Sequence, residues 1–258
     1  SELDPDELDD LFDELDNLTR GEFEAQKSEI DSYLSDNYGI PINNLMPWHY
    51  QDKFFQQGPQ IYKINFDDIY SKTDIVEKTI EYFDGINLDI KDLIERSDLY
   101  EKDGKYQHAY CTNIDREGDV RVVCNVKPNY KWMGTMLHEY GHAVYDKFIS
   151  PKLPWQLRNH AHILSTESIA MLFGRFASNP QWIQDMIGIS DSQKSLISEN
   201  CIKLLRMEQL VFSRWVQVMY RFERELYKNP DQDLNSLWWN LVEDYQLLKK
   251  PEGRDEPD

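Results

Sequence analysis

The chain has 258 residues, of which 40% are hydrophobic and 13% aromatic, so it is long and apolar enough to fold into one large domain or two small ones. The formal net charge is −19, and no stripe of Lys and Arg is present, which argues against nucleic acid and against an anionic membrane surface as partners. No apolar run approaches the ~18 residues of a membrane-spanning helix, so membrane insertion of this segment is not expected.

The first hundred residues are predicted to be helical. Apolar residues recur at helical spacing among many carboxylates in the N-terminal stretch. This helix is expected to begin after Asp4, with Pro5 in its first turn, and to end at Gly39. Shorter helical patterns follow near 73–84 and 88–96.

Residues 101–127 contain the one β signal. Two runs rich in β-branched and aromatic residues, 106–114 and 119–126, are joined by four residues that end in Gly118. This pattern is typical of a β-hairpin whose turn uses glycine where a positive φ is needed. Cys111 and Cys124 fall on opposing strands but out of register, so no disulfide between them is expected.

Residues 128–258 show helical periodicity almost throughout, interrupted by prolines. The expected helices cover about 130–148, 160–178, 192–228 and 234–248. The predicted fold is therefore mainly α with one small β-hairpin or sheet. Residues 1–258 are predicted to form a single region, made of a helical part (1–100), the hairpin (101–127) and a second helical part (128–258).

The segment from His138 to His142 carries the pattern His-Glu-x-x-His within an amphipathic helical stretch. Residues four apart on a helix lie one above the other, so both imidazoles can reach one ion. Glu139 is turned by about 100° from His138, so it borders the ion without occupying the same ligand position and can act as a general base. Two His and one carboxylate are a ligand set of catalytic zinc, which keeps one position open.

The third ligand is expected to be a carboxylate from a second helix. A third His six residues after His142 would indicate another class of zinc site, but position 148 is Phe. Glu167 is the only acid between Asp146 and Asp185, and it lies in an apolar helical stretch where an unpaired carboxylate would be costly to bury. A metal partner removes that cost, so the sequence predicts Zn²⁺ held by Glu167 together with the two histidines.

Three further polar residues lie near this pattern. Asp146 follows His142 by one helical turn and could orient its imidazole. His160 and His162 precede Glu167, and we expect structural or outer-contact roles for them, with direct contact with the substrate as the alternative.

These residues resemble the gluzincin peptidases, and specifically the angiotensin-converting-enzyme-like family, a relative of the thimet oligopeptidase family. The similarity extends along nearly the whole chain, in the order of the family's central half. Its segments are 38–39, 42–45, 107–109, 138–142, 153–158, Glu167, 238–241 and 245–246. The resemblance implies a zincin-like, cleft-forming helical fold of the neurolysin and converting-enzyme kind. It also implies removal of dipeptides from peptide C-termini, and a chain that is a fragment of a longer protein.

The resemblance further implies where a substrate binds. The family's substrate-pairing strand corresponds to residues 108–111, so His108, Ala109 and Cys111 are the expected substrate-binding residues. A hairpin edge strand that borders the zinc site can bind an extended peptide by strand addition. His108 could then donate a hydrogen bond to a substrate carbonyl.

Several positions depart from the family's pattern. One residue more separates His142 from Glu167 than in the animal converting enzymes, which resembles the thimet oligopeptidase spacing. Met171 stands where the family has an acidic residue beside the ligand, and Val242 where the animal enzymes have a chloride-binding arginine. The family's oxyanion-stabilising His and two Tyr lie beyond Asp258.

The predicted function is a zinc-dependent peptidyl-dipeptidase in which Glu139 activates water for attack on a peptide bond. Two alternatives stay open. One is a thimet-like oligoendopeptidase. The other is a zinc-binding but inactive fragment that lacks the downstream oxyanion residues. A peptide substrate is the expected partner, and the sequence carries no signal for an oligomeric state.

The compartment is only weakly constrained by the sequence. The chain begins at Ser1 without an initiator Met and shows no signal peptide. Three cysteines are too few for a disulfide framework, which favours free thiols and a cytoplasmic location. An extracytoplasmic location stays open if a signal was removed with a missing N-terminus.

Overall fold

The computed structural model describes residues 3–254, so both ends of the predicted region 1–258 lie outside it. The chain divides into two compact units, one made of the residues up to Lys63 and from Ile202 onward, the other of Ile64–Cys201. In chain order, the elements of the described range are α1 (Pro5–Tyr38), α2 (Phe66–Tyr70), α3 (Ile75–Gly85), α4 (Lys91–Arg96), β1 (Tyr110–Asn113), β2 (Val120–Val123), α5 (Tyr130–Lys147), α6 (Ile163–Gly174), α7 (Pro180–Ile187), α8 (Asp191–Lys228) and α9 (Leu234–Leu241). The predicted architecture, mainly α with one small sheet, is confirmed.

Helix α1, in the first unit, begins and ends where the sequence predicts. The Asp4 side chain accepts a hydrogen bond from the Asp6 backbone N–H at 2.9 Å, and Pro5 occupies the first turn, where its missing N–H costs nothing. Gly39 ends the helix with a φ of 65°, in the left-handed region that glycine adopts readily. The buried face of α1 includes Phe23, Ile30 and Leu34.

The remaining helices of the first unit are the part of α8 from Ile202 onward and α9. Arg214 on α8 is buried and forms an ion pair with Asp16 on α1. Trp238 and Trp239 on α9 are buried, and a π-helical turn, Val242–Gln246, follows them. Among the described residues, no helix of either unit is both long and apolar enough to cross a bilayer.

Strands β1 and β2, in the second unit, form an antiparallel hairpin that is shorter than the predicted runs 106–114 and 119–126. Beyond the paired residues, the Asn125 side-chain amide donates to the Tyr106 backbone carbonyl at 3.0 Å. The segment before Tyr110, which includes His108 and Ala109, is therefore outside the sheet. Gly118 has a φ of 116°, which confirms the predicted use of glycine in the turn.

Helix α5 agrees with the predicted helix 130–148, whereas the predicted helix 160–178 is divided. Asn129 caps the start of α5 by accepting a hydrogen bond from the Trp132 backbone N–H. Helix α6 ends at Gly174, and a 3₁₀ turn covers 175–178. The sequence pattern does not predict α7, because a proline such as Pro180 is typical of an interruption between helices. In fact Asn179 caps the helix and Pro180 is its first residue.

Candidate metal centre

Three side chains from α5 and α6 converge in the second unit. His138 and His142 lie one turn apart on α5, with ring centroids 4.8 Å apart. Glu167 on α6 places Oε2 3.6 Å from His138 Nε2 and Oε1 3.5 Å from His142 Nε2. One possible ligand atom of each residue lies within 4.8 Å of the other two. Across residues 3–254, no other group of three or more His, Cys, Asp or Glu has this arrangement.

The measured separations fit a zinc ion. Zinc in a tetrahedral site binds nitrogen and carboxylate oxygen at about 2.0–2.2 Å, which places neighbouring donors about 3.3–3.6 Å apart. The two nitrogen–oxygen separations, 3.5 and 3.6 Å, agree with that spacing. Three protein donors would leave the fourth position open, as a catalytic zinc site requires. The group could therefore hold the ion that the sequence predicts.

Close approach of α5 and α6 brings the three side chains together. A Cβ added at Gly141 would lie 2.9 Å from Ala170 Cα, and one added at Gly174 would lie 3.4 Å from His138 Cβ. Because both positions lack a side chain, the two helix backbones approach closely. A glutamate on α6 can then reach both imidazoles on α5.

Burial lowers the pKa of both imidazoles. For His138, loss of solvent is the largest cause, and the neighbouring His142 lowers the pKa further. For His142, burial again lowers the pKa most, against the opposing effect of the Glu167 carboxylate. Neutral imidazole is the form that binds a metal. The surroundings of both rings therefore favour the form that is able to bind.

Glu139 borders this group and is almost completely buried, with 7% of its surface exposed. Burial, together with the smaller effect of the Glu167 carboxylate, raises the pKa of its carboxyl from 4.5 to about 7. A carboxyl group with a pKa near neutrality can both accept and release a proton at neutral pH. This is the property that a general base requires.

Glu167 is more exposed than the sequence suggested. Its side chain is 44% exposed, because α6 buries only a narrow face that includes Thr166 and Ala170. The expectation that Glu167 is buried in an apolar stretch was therefore wrong. What marks Glu167 as a possible ligand is its position opposite two imidazoles. The cost of burying its carboxylate is a weaker argument than predicted.

A residue that sequence reasoning did not single out contacts His142. Thr166 Oγ1 lies 2.7 Å from His142 Nδ1. Asp146, which the sequence offered as a residue that could orient that ring, has its Oδ1 3.8 Å from His160 Nδ1. Neither of these two atoms has a hydrogen-bond partner among the described residues. His162 Nδ1 accepts a backbone N–H at the start of α6, which is a structural role. The position of a hydroxyl directly before the predicted acidic ligand was the available signal for Thr166.

The residues predicted to bind substrate lie on or beside β1, which packs against α5. His108 is exposed and Ala109 half-buried just before the strand, and Cys111 is half-buried within it. Cys111 occupies a position where the two strands do not exchange hydrogen bonds, so its backbone N–H and C=O point to the open edge. Burial raises the pKa of the Cys111 thiol, and the carboxylates of Asp146 and Glu139 raise it further. All three cysteines are free thiols.

Contacts at both ends hold the hairpin in place. Trp155 Nε1 donates to the Asp115 carbonyl at 2.9 Å, and the Arg116 guanidinium lies 4.6 Å from the centre of the Trp155 ring. At the base, the Lys105 ammonium donates to three backbone carbonyls. A two-stranded hairpin is only marginally stable by itself. These contacts therefore fix the position of its open edge.

The chain matches the model of Peptidase family M3 over residues 54–257. A search of curated proteins found no match. The matched range includes both α5 and α6, which carry the group of two histidines and a glutamate. Peptidases of this family use zinc, which is the ion that the ligand set fits. The chain therefore belongs to peptidase family M3 and is a zinc metallopeptidase.

Proposed function

We propose that the chain cleaves peptide bonds with zinc held by His138, His142 and Glu167 and with Glu139 as the general base. The observation that carries this proposal is the convergence of three donor atoms from two helices within 4.8 Å. When bound, zinc supplies a Lewis acid that polarises the scissile carbonyl and eases deprotonation of water.

Glu139 then acts through proton transfer. Its carboxylate takes a proton from the attacking water and later releases it to the nitrogen of the leaving amine. Burial and the Glu167 carboxylate raise the pKa of Glu139 to about 7 in the zinc-free protein. A bound cation would favour the charged form, so Glu139 would be a carboxylate able to accept the proton when zinc is present. Glu139 follows a proposed ligand directly in the sequence, so α5 holds the base and the metal-binding imidazoles in one rigid element.

The open edge of β1 supports binding of the substrate in an extended conformation. The backbone N–H and C=O of Cys111 are free to pair with a peptide along this edge. His108 is exposed beside the strand and could donate to a substrate carbonyl. We therefore propose that the peptide adds to the hairpin as a further antiparallel or parallel strand.

Removal of one ligand tests the proposed zinc site. We expect His142→Ala to lose bound zinc and peptidase activity together, because two remaining donors bind the ion weakly. Zinc is measured by elemental analysis after dialysis, and activity on an internally quenched peptide. The matched control is His162→Asn, which keeps a cap on α6 and lies outside the ligand group. Retention of stoichiometric zinc by His142→Ala would refute the ligand set.

The finer specificity that we propose is peptidyl-dipeptidase action, the release of dipeptides from C-termini, on the basis of the converting-enzyme-like segments of the sequence. A thimet-like oligoendopeptidase is the second candidate. The longer spacing between His142 and Glu167 favours it, and the match to family M3 is equally compatible with both.

A blocked C-terminus separates these two specificities. A peptidyl-dipeptidase needs the free terminal carboxylate, so amidation of the substrate is expected to suppress cleavage by at least about tenfold, the equivalent of ~1.4 kcal/mol of lost transition-state binding. The products of free and amidated forms of one peptide are compared by mass spectrometry. Equal cleavage of both forms at internal bonds would establish the endopeptidase instead.

A further inference from the structure

Thr166 is positioned to act on a proposed zinc ligand from outside the ligand group. It is 2% exposed, it directly precedes Glu167 on α6, and its hydroxyl oxygen lies 2.7 Å from His142 Nδ1. The distance is short for a hydrogen bond of this kind. A buried hydroxyl thus meets the ring nitrogen of a half-buried histidine across the interface between α5 and α6.

The two nitrogens of His142 face different partners. Nε2 lies 3.5 Å from Glu167 Oε1, so this nitrogen belongs to the group that could hold the ion. To bind a cation, Nε2 must present its lone pair, and the single proton of the neutral ring must then be on Nδ1. With Nε2 bound to a cation, Nδ1–H would donate to Thr166 Oγ1.

The other polar side chain that the sequence offers for orienting His142 is that of Asp146. Asp146 lies one turn farther along α5, but its Oδ1 is 3.8 Å from His160 Nδ1. The ring nitrogen of His142 accordingly has a hydroxyl as its partner, where many zinc-binding histidines have a carboxylate or a backbone carbonyl.

We propose that Thr166 is a positioning residue that fixes the tautomer and the rotation of His142 for zinc binding. The proposal rests on the ligand set given under the proposed function. Because Thr166 and Glu167 are consecutive, the same turn of α6 supplies one ligand and orients another. Any movement of this turn relative to α5 would displace Glu167 and would also disturb the contact between Thr166 and His142.

The test compares zinc affinity in three variants, measured by competition with a chromophoric chelator. Thr166→Val keeps the shape of the side chain and removes the hydroxyl, and we expect it to bind zinc about 10–100-fold more weakly. Thr166→Ser restores the hydroxyl and is expected to restore most of the affinity. Ser168→Ala removes an exposed hydroxyl from the same helix and is expected to bind zinc as the parent does.

A second measurement does not depend on how well the variants fold. Long-range ¹H–¹⁵N spectra of the zinc-loaded parent report which nitrogen of His142 carries the proton, and we expect it on Nδ1. A proton on Nε2 would overturn the proposal, as would parental zinc affinity in Thr166→Val or an equal loss in Thr166→Ser. If His142→Ala keeps its zinc, the ligand set itself is wrong. If His142→Ala loses its zinc while Thr166→Val keeps the parental affinity, the ligand set is supported and the role of Thr166 is refuted.

Discussion

Replacement of Glu139 by Gln is expected to lower the peptidase rate by about 10²–10⁴-fold, the usual contribution of a general base. The amide has nearly the same shape as the carboxyl but cannot accept the proton of the attacking water. Zinc content should stay at the parental level, because Glu139 is outside the three-residue group that could hold the ion. The measurement is the rate on an internally quenched peptide together with elemental analysis.

The contrast with Glu167→Ala separates proton transfer from metal binding. Both variants should have a strongly lowered peptidase rate, but only Glu167→Ala should lose zinc. The Glu167 carboxylate oxygens lie 3.6 Å from His138 Nε2 and 3.5 Å from His142 Nε2, so Glu167 is within the group that could hold the ion. A Glu139→Gln protein that keeps both its zinc and the parental rate would refute the general-base role.

Stability of the zinc-free protein gives this prediction a second readout. The folded-state pKa of Glu139, raised by burial and by Glu167, is about 7 against an ordinary value of 4.5. Between these values the folded protein binds more protons than the unfolded chain, so the free energy of unfolding falls as the pH rises. The Glu139→Gln protein has no titrating group at this position, so this residue does not lower its free energy of unfolding as the pH rises.

The advantage of Gln over Glu at position 139 should therefore grow from about pH 5 to about pH 8. A difference of 1 in pKa corresponds to about 1.4 kcal/mol, so we expect a gain on the order of 1–3 kcal/mol. Urea unfolding in the presence of a chelator measures it. A difference between the two proteins that does not change with pH would show that Glu139 is not held in a desolvated position.

Features that depend on neighbouring residues could be predicted from the sequence. The start of α1 at Asp4 and Pro5 follows from capping by residues within its first turn, and its end at Gly39 from a local backbone requirement. The alignment of His138 and His142 follows from the helical repeat alone. Such features need no knowledge of the rest of the fold.

Features that depend on distant contacts could not be predicted in this way. The hairpin ends at the pair Tyr110 and Val123, and beyond it the Asn125 side chain donates to the Tyr106 carbonyl, a contact that no periodicity shows. The contact between His142 and Thr166 joins residues on two helices whose approach is visible only in three dimensions. The division into two units likewise depends on residues up to Lys63 grouping with those from Ile202 onward.

The prediction of Glu167 as the third ligand rests on a premise of burial that the structure contradicts. The sequence indicates Glu167 because it is the one acid of an apolar stretch, where burial of an unpaired carboxylate would be costly. The structure places it at the group but leaves its side chain 44% exposed. The rarity of acidic residues in this stretch is thus what indicates Glu167 in the sequence. Its position beside the two imidazoles results from the close packing of α5 and α6.

Because α5 and α6 pack closely, we expect the Gly141→Ala substitution to lower the stability of the protein. In an open helix, Ala in place of Gly stabilises by up to about 1 kcal/mol. Here the new Cβ would lie 2.9 Å from Ala170 Cα and 3.0 Å from Phe173 Cδ2, and a backbone atom cannot move aside as a flexible side chain can. Overpacking of this kind costs about 1–3 kcal/mol, so we expect a net loss of stability.

Separation of α5 from α6 should also weaken zinc binding by at least about tenfold, because Glu167 and Thr166 both reach across this interface. Gly21→Ala on α1 is the matched control, since a Cβ there meets nothing within 4 Å. That variant should be as stable as the parent or more stable, with unchanged zinc affinity. If Gly141→Ala behaves like Gly21→Ala in urea unfolding and in chelator competition, the helices are not held at the distance that the proposed metal centre requires.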